Sequence, residues 1–366
     1  MKPIRFVMVG GFLGAGKTTT IARLASHYMN QGKSVGIVTN DQAYDLVDTH
    51  SLRAQGFRVG EVPGACFCCK FDDLMKTAGE LESDQIPDVI IAEPVGSCTD
   101  LIATVIEPLR HLHGDRYEVG PLAVLLKPEH GLKILRQDAQ VGFSPKAAYI
   151  FLKQIEEADV IVVNKIDKLS ADEQTELTAL IGGRFPGRRV LAISAKTGDN
   201  FDQLVKALEE AAPAHDTMMD VDYDVYAEGE AELGWLNCQV ELSSTADPIS
   251  LDDFSIGLVQ RLREKLTQHD AEPAHLKVLA QSGQHTAIAN LVGGGADVEL
   301  SMASHHQSHK IELIVNARVA VDPDSLEQQV CDTVQEVAQT ANCVAEVQGM
   351  QSFRPGRPVP THRVQR

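Results

Sequence analysis

The stretch "GFLGAGKT" at residues 11–18 constrains this chain more than any other. It satisfies G-x-x-x-x-G-K-[ST] in full. It follows the continuous apolar run "IRFVMV" (4–9) and leads into "TTIARLASHYMNQGK", where Ile21, Leu24, Ala25 and Tyr28 recur on one helical face and Gly32 stops the run. A buried strand, a glycine loop and a helix in that order make a phosphate cradle. Gly11, Gly14 and Gly16, with Ala15 among them, let backbone amides turn toward phosphate oxygens, and the helix N-terminus adds its positive end. Lys17 is expected to reach the β- and γ-phosphates, Thr18 to ligate Mg²⁺, and Thr19 to complete the loop.

The rest of the first half repeats the alternation. "SVGIVT" (34–39), "DVIIA" (88–92), "PLAVLL" (121–126), "DVIVV" (159–163) and "RVLAIS" (189–194) read as fully buried strands, separated by helical segments such as "FDDLMKTAGELES" and "ADEQTELTALIGG". Continuous apolar strands alternating with helices predict an α/β P-loop NTPase with a mostly parallel sheet flanked by helices. The pattern ends near Ala212, so residues 1–212 are expected to form the nucleotide domain and the acidic, aperiodic 213–232 a linker. Over 233–350 the period changes. "LNCQVELS" and "IELIVNARV" alternate strictly, and helical stretches lie near 252–268 and 323–339. That order predicts a smaller C-terminal α+β domain of the ferredoxin-like kind. The basic, proline-rich 351–366 reads as an extended tail, either disordered or docked on the acidic body of the chain or on a client.

Composition narrows the functional classes. Among 366 residues the formal net charge is −18, which argues against general nucleic-acid binding. No apolar run reaches the roughly 20 residues of a membrane span, and the N-terminus lacks a signal-peptide pattern, so a cytoplasmic protein is expected. Seven cysteines, an odd and unevenly spaced set, argue against a disulfide framework.

Three further motifs refine the nucleotide. "VVNKID" places Asn164, Lys165 and Asp167 after a buried strand, where a carboxylate can accept from guanine N1–H and its exocyclic amine. "ISAK" brings Ser194, Ala195 and Lys196 after the next strand, with the Ala195 amide expected on the guanine oxygen. In this order they favour GTP over ATP. "IIAEPVG" ends a strand with Glu93, a candidate for reaching Mg²⁺, while Gly96 lets its amide approach the γ-phosphate. In "TNDQAYDLVDT", Asp41 is the candidate for sensing Mg²⁺ or positioning the attacking water. Asp45 and Asp48 are weaker candidates, and a solvated acidic loop is the plain alternative.

"VPGACFCCKFDD" gathers Cys66, Cys68 and Cys69 within four positions. Thiolates suit Zn²⁺, Co²⁺ or Cu⁺ and are poor ligands for Mg²⁺. Three sulfurs can share one ion with room for a fourth ligand. Redox sensing and plain packing are the alternatives. Cys238, Cys331 and Cys343 read as structural, and Cys98, just after "EPVG", as packing or else as a residue with a role near the nucleotide. His305, His306 and His309 in "SHHQSH" read as a solvated loop, or else as imidazoles able to pass on metal.

Together these elements resemble the GTPase family of the CobW-type proteins and the hydrogenase- and urease-maturation GTPases. The resemblance rests on "GGFLGAGKTT", glutamate in "EPVG", "NKID" and "SAK", and "GACFCC" points to the CobW-like branch. It covers roughly residues 4–212. The chain departs from the pattern in having "GA" rather than "GC" at 64–65, and it lacks an aspartate after "AVLL". The resemblance implies a GTP-driven chaperone delivering a thiophilic metal, zinc or cobalt, to a client metalloprotein. It also implies that the three cysteines occupy the metal-binding positions and that a GTP-dependent homodimer can form. Two alternatives stay open: a GTPase servicing a cobalamin- or corrinoid-dependent enzyme, and a nucleotide-gated metal sensor with little hydrolysis.

Overall fold

Every residue of β2 (Val35–Asn40) and β4 (Val89–Glu93) is buried, as strands covered on both faces require. They lie with β1 (Ile4–Gly11), β3 (Arg58–Val62), β6 (Ala123–Leu126), β7 (Val160–Val163) and β8 (Arg189–Ala192) in one parallel sheet of order β3-β2-β4-β1-β6-β7-β8. The short β5 (Tyr117–Val119) pairs with the start of β1. Connecting helices include α1 (Lys17–Asn30), α3 (Phe71–Glu80), α4 (Glu107–His113), α5 (Pro128–Leu135), α6 (Pro145–Glu157), α7 (Ala171–Arg184) and α8 (Phe201–Glu209). Local chemistry sets their ends. Ser144 caps α6 by accepting from the Ala147 amide, and Ser170 with Glu173 forms a capping box on α7. This computed structural model describes all residues except Met1, Asp84, 137–143, Asp216, Asp270, Glu272, 292–296 and Arg366.

The second sheet is antiparallel, in the order β13-β12-β11-β15-β9-β16. Its strands are β9 (Gly234–Ser243), β11 (Pro273–Ser282), β12 (His285–Leu291), β13 (Glu299–Met302), β15 (Lys310–Val319) and β16 (Val344–Phe353), with a small separate pair β10 (Ile249–Ser250) and β14 (Gln307–Ser308). Helices α10 (Leu251–Gln268) and α11 (Pro323–Thr340) join them. The order β16-β9-β15-β11 with one helix after β9 and one after β15 is the ferredoxin-like arrangement, extended by the β12–β13 hairpin. Its core packs Leu236, Val240, Leu258, Leu262, Val315 and Val330, all at most 2% exposed.

The compact units are residues 1–42, 57–229 and 357–366, and residues 43–56 with 230–356. They depart from the sequence boundaries in three places. The segment after β2 belongs to the second unit. There α2 (Val47–Ala54) buries Val47 against Leu279, Ile288 and Ile314, and the Val47 amide donates to Asn316 Oδ1 at 2.7 Å. The aperiodic 213–232 contains α9 (Tyr223–Glu230), and residues through 229 belong to the first unit. The tail from Arg357 joins the first unit, while Gln351–Phe353 finish β16. β3 and β5 were not legible as strands: β3 is an edge strand, mostly half-buried, and β5 is three residues long. Among the described residues no helix is long and apolar enough to cross a membrane.

Candidate nucleotide and metal site

At the carboxyl edge of the parallel sheet, β1 runs into the glycine loop and α1. Gly16 ends the loop in the left-handed region (φ 90°), and no side chain caps α1. The first-turn amides, with no acidic residue beside them, are therefore set up for an anion. A Cβ on Gly16 would lie 2.5 Å from Asn164 Nδ2, so that position admits only glycine. Lys17 is buried and donates to the Gly11 carbonyl at 3.0 Å.

The expected Mg²⁺ pair comes together. Thr18 Oγ1 donates to Glu93 Oε1 at 3.2 Å, because β4 is the parallel neighbour of β1. A hydroxyl and a carboxylate converging on one point form a hard-oxygen donor set that fits Mg²⁺. Gly96 belongs to the same corner: a Cβ there would stand 2.8 Å from Leu13 Cδ2 and 3.2 Å from Lys17 Nζ. Asp41 is buried one strand further out, just past the Thr39–Glu93 register pair, and its Oδ1 accepts from the Gln42 amide at 2.7 Å. Asp45 and Asp48 are used in the second unit, Asp45 by Gln239 and Asp48 by the Lys277 ammonium.

On the base side, Asn164 does more than its motif announced. Its Nδ2 donates to the Ala15 carbonyl at 2.8 Å and its Oδ1 accepts from the Ala195 amide at 2.9 Å, tying the phosphate loop to the "SAK" loop. The Ala195 amide, expected on the guanine oxygen, is thus already engaged, and a base would compete with Asn164 for it. Asp167 Oδ1 accepts from Ser194 Oγ at 2.6 Å. Lys165 takes a left-handed conformation at φ 65°. Arg23 of α1 donates to the carbonyls of Ala195 and Lys196 at 2.7 and 2.9 Å, buttressing that loop. No sequence signal distinguished it from a surface arginine. The position after β6, where an aspartate was expected, holds the buried Lys127, paired with Glu129.

The cysteine loop is clamped by one residue that sequence reading passed over. Asn40, the last residue of β2, donates to the carbonyls of Val62 and Ala65, both at 2.7 Å, and accepts from the Phe67 amide at 2.8 Å. A buried polar residue ending an apolar strand was its only signal. The Cys69 amide donates to the Cys66 carbonyl at 3.0 Å, closing a turn that brings the sulfurs to one side. Cys66, Cys68 and Cys69 Sγ lie 3.1, 3.4 and 3.7 Å apart, the one potential metal-holding cluster of cysteine, histidine or acidic side chains among the described residues.

Hydrogen bonding with Cys68, then with Cys69 and Cys98, outweighs burial and holds the Cys66 thiol well below the usual range. The same contact with Cys66 pushes Cys68 well above it and Cys69 up to about 11, with burial adding to both. Within the cluster the neighbouring thiols thus favour a thiolate on Cys66 over one on Cys68 or Cys69.

The tail lies across this loop. The Val359 amide donates to Cys69 Sγ at 3.2 Å, and the Thr361 amide to the Cys68 carbonyl at 2.8 Å. Arg363 pairs with buried Asp100 at 2.7 Å, the His362 ring meets Phe71 edge-on, and Arg357 pairs with Asp224. The histidines of "SHHQSH" belong to the second unit. His305 is exposed, His306 stacks on His285 with ring centres 3.8 Å apart, and the His309 ring meets the Ser244 carbonyl.

Residues 5–184 match the family model described as CobW/HypB/UreG, nucleotide-binding domain. Zinc chaperone CobW of Pseudomonas aeruginosa is 26% identical over 223 residues, which cover 52% of this chain and 56% of that protein. Zinc chaperone CobW of a Sinorhizobium species is 25% identical over 298 residues, covering 72% and 78%. Zinc chaperone YeiR of Escherichia coli is 27% identical over 177 residues, covering 46% and 49%. The chain thus spans about half the length of two of these relatives and about three quarters of the third.

Proposed function

We propose, on the premise that residues 5–184 belong to the CobW/HypB/UreG nucleotide-binding family, that this chain is a GTP-hydrolysing metal chaperone. It takes up a thiophilic divalent ion, zinc or cobalt, on Cys66, Cys68 and Cys69 and releases it to a client metalloprotein as the nucleotide turns over. One juxtaposition carries this reading. The residue that clamps the cysteine loop, Asn40, is bonded directly to Asp41 at the nucleotide edge of the sheet. A change at the γ-phosphate thereby has a short path to the cysteine loop, through one peptide bond and the Asn40 hydrogen bonds.

In this mechanism the amides of Gly14, Ala15 and Gly16 and the first turn of α1 bind the phosphates. Lys17 leaves the Gly11 carbonyl for the β- and γ-oxygens. Thr18 and Glu93 would hold Mg²⁺, which supplies charge neutralisation as the γ-phosphate transfers. Asp41 orients the attacking water, and the Gly96 amide meets the γ-phosphate. Positioning and electrostatics carry most of such a reaction, so intrinsic turnover is slow and suits a switch. Asp167 accepts from guanine N1–H and its amine, held for that task by Ser194.

The test titrates zinc and cobalt into the full chain, with and without Mg²⁺ and a non-hydrolysable GTP analogue. The comparison is a variant carrying Cys66→Ser, Cys68→Ser and Cys69→Ser. Nucleotide should shift the metal affinity of the unmodified chain, and the variant should lose both the affinity and the shift. Equal affinity and equal coupling in the two proteins would end the chaperone reading.

A further inference from the structure

Cys98 stands two residues beyond Gly96 in "EPVGSC", where the sequence favours packing over a role beside the nucleotide. In the structure its side chain is hydrogen-bonded with the sulfur of Cys66. Cys66 thus touches all three of the other thiols: Cys68 at 3.1 Å, Cys69 at 3.4 Å, and Cys98. Cys66, Cys68 and Cys98 are each at most 3% exposed. Four sulfurs on one tetrahedral zinc with bonds near 2.3 Å sit about 3.8 Å from one another. The three motif sulfurs already approach that spacing, and the fourth adjoins the group through Cys66.

The backbone around Cys98 is held from α6. Gln154 Nε2 donates to the carbonyls of both Gly96 and Cys98, at 3.0 and 2.8 Å, and the Cys98 amide closes a turn onto the Val95 carbonyl at 2.9 Å. Buried Glu157 then takes the Thr99 hydroxyl and the Ile102 amide. One short rigid arm therefore runs from Glu93 through Gly96 to Cys98, with a single glutamine amide gripping the nucleotide end and the sulfur end together. A packing cysteine needs no such placement.

We propose that Cys98 is the fourth thiolate of the ion site and the ligand through which the nucleotide loop feels the ion. This rests on the metal-chaperone reading above and deepens it. Cys66, Cys68 and Cys69 gather the ion, and Cys98 closes the set as a four-thiolate site. Because Gly96 and Cys98 share the Gln154 amide, a γ-phosphate at Gly96 and an ion at Cys98 alter each other's binding reciprocally.

Zinc K-edge absorption on the full unmodified chain counts the ligands without any substitution. Four sulfurs are expected; three sulfurs with a nitrogen or oxygen would overturn the proposal. Cobalt titration of Cys98→Ala should then show thiolate-to-cobalt charge transfer reduced to about three quarters of that of the unmodified chain, as four ligands fall to three. Chelator competition should show zinc bound at least about tenfold more weakly, with the effect of the GTP analogue on that affinity reduced. Superimposable cobalt spectra and equal zinc affinity in Cys98→Ala would defeat this inference and leave the three-cysteine site standing. Unchanged binding in the Cys66, Cys68 and Cys69 triple variant would instead defeat the parent reading.

Discussion

Replacing Asn40 by alanine removes the clamp on the cysteine loop while leaving every sulfur in place. The lost contacts are donors to the Val62 and Ala65 carbonyls and an acceptor for the Phe67 amide. Each buried backbone group left unsatisfied costs about 1–3 kcal/mol. The contact to Ala65 is only partly buried, so water replaces it at little cost, and the Val62 carbonyl keeps the Asp41 amide at 3.3 Å, which leaves the buried Phe67 amide as the group without a partner in the variant. The folded loop is therefore disfavoured by about 1–3 kcal/mol, unless it lifts off and lets water reach the Phe67 amide. Lifting off scatters the sulfurs, and an ion must then draw the loop back before binding. If opening wins by about 1.4–2.8 kcal/mol, apparent zinc affinity falls about 10- to 100-fold. Competition against a chromophoric zinc chelator measures this, with amide exchange at residues 65–69 read in parallel. Faster exchange there with zinc affinity within twofold of the unmodified chain would refute the reasoning, because a preorganised loop would then contribute nothing to binding.

Three further outcomes are expected. His215 is half-enclosed, with ring nitrogens 2.9 Å from Glu107 and 3.0 Å from Asp159. Burial lowers its pKa, but the bonds to Asp159 and Glu107 prevail and raise it overall. Its stabilising effect is full below the free imidazole value of about 6.5 and is lost as pH rises through the raised folded value. Urea midpoints of the unmodified chain minus those of His215→Gln should therefore be larger at pH 6 than at pH 9; a constant difference would exclude the charged imidazole. Deleting residues 357–366 should speed alkylation of Cys69 severalfold, read by peptide mass spectrometry, because the tail amide at Val359 covers its sulfur. No change in rate would mean that the strap does not limit access. Asp167→Asn should trade guanine for xanthine, since an amide donates where the carboxylate accepted. Nucleotide competition reads this, and unchanged guanine preference would remove Asp167 from the base site.

The guanine, phosphate and cysteine motifs were each legible as words because their chemistry is local: glycines that take unusual backbone angles, a lysine and a threonine at a helix start, three thiols in one turn. Strand positions were legible for the same reason, since burial on both faces writes itself as an unbroken apolar run such as Val160–Val163. The ferredoxin-like order emerged from alternation at 236–242 and 311–319. Residues whose partners lie far along the chain were silent. Nothing local sets Asn40 apart from any strand terminus or Arg23 from a surface arginine, and the context of Cys98 favours packing. Asp45 and Asp48, weaker candidates than Asp41 against the plain alternative of a solvated acidic loop, bond within the second unit.

By itself, then, the sequence determined that a glycine loop between strand and helix, the NKID and SAK motifs and three thiols in one turn exist in this protein, because each is encoded by a few neighbouring residues. Only the tertiary structure decided that Asn40 holds the cysteine turn beside the carboxyl edge of the parallel sheet, that a fourth sulfur meets Cys66 and that the tail crosses the turn. Those are long-range hydrogen bonds between loops brought to one edge of a parallel sheet, and the strand order that brings them there leaves no periodicity in the chain to read.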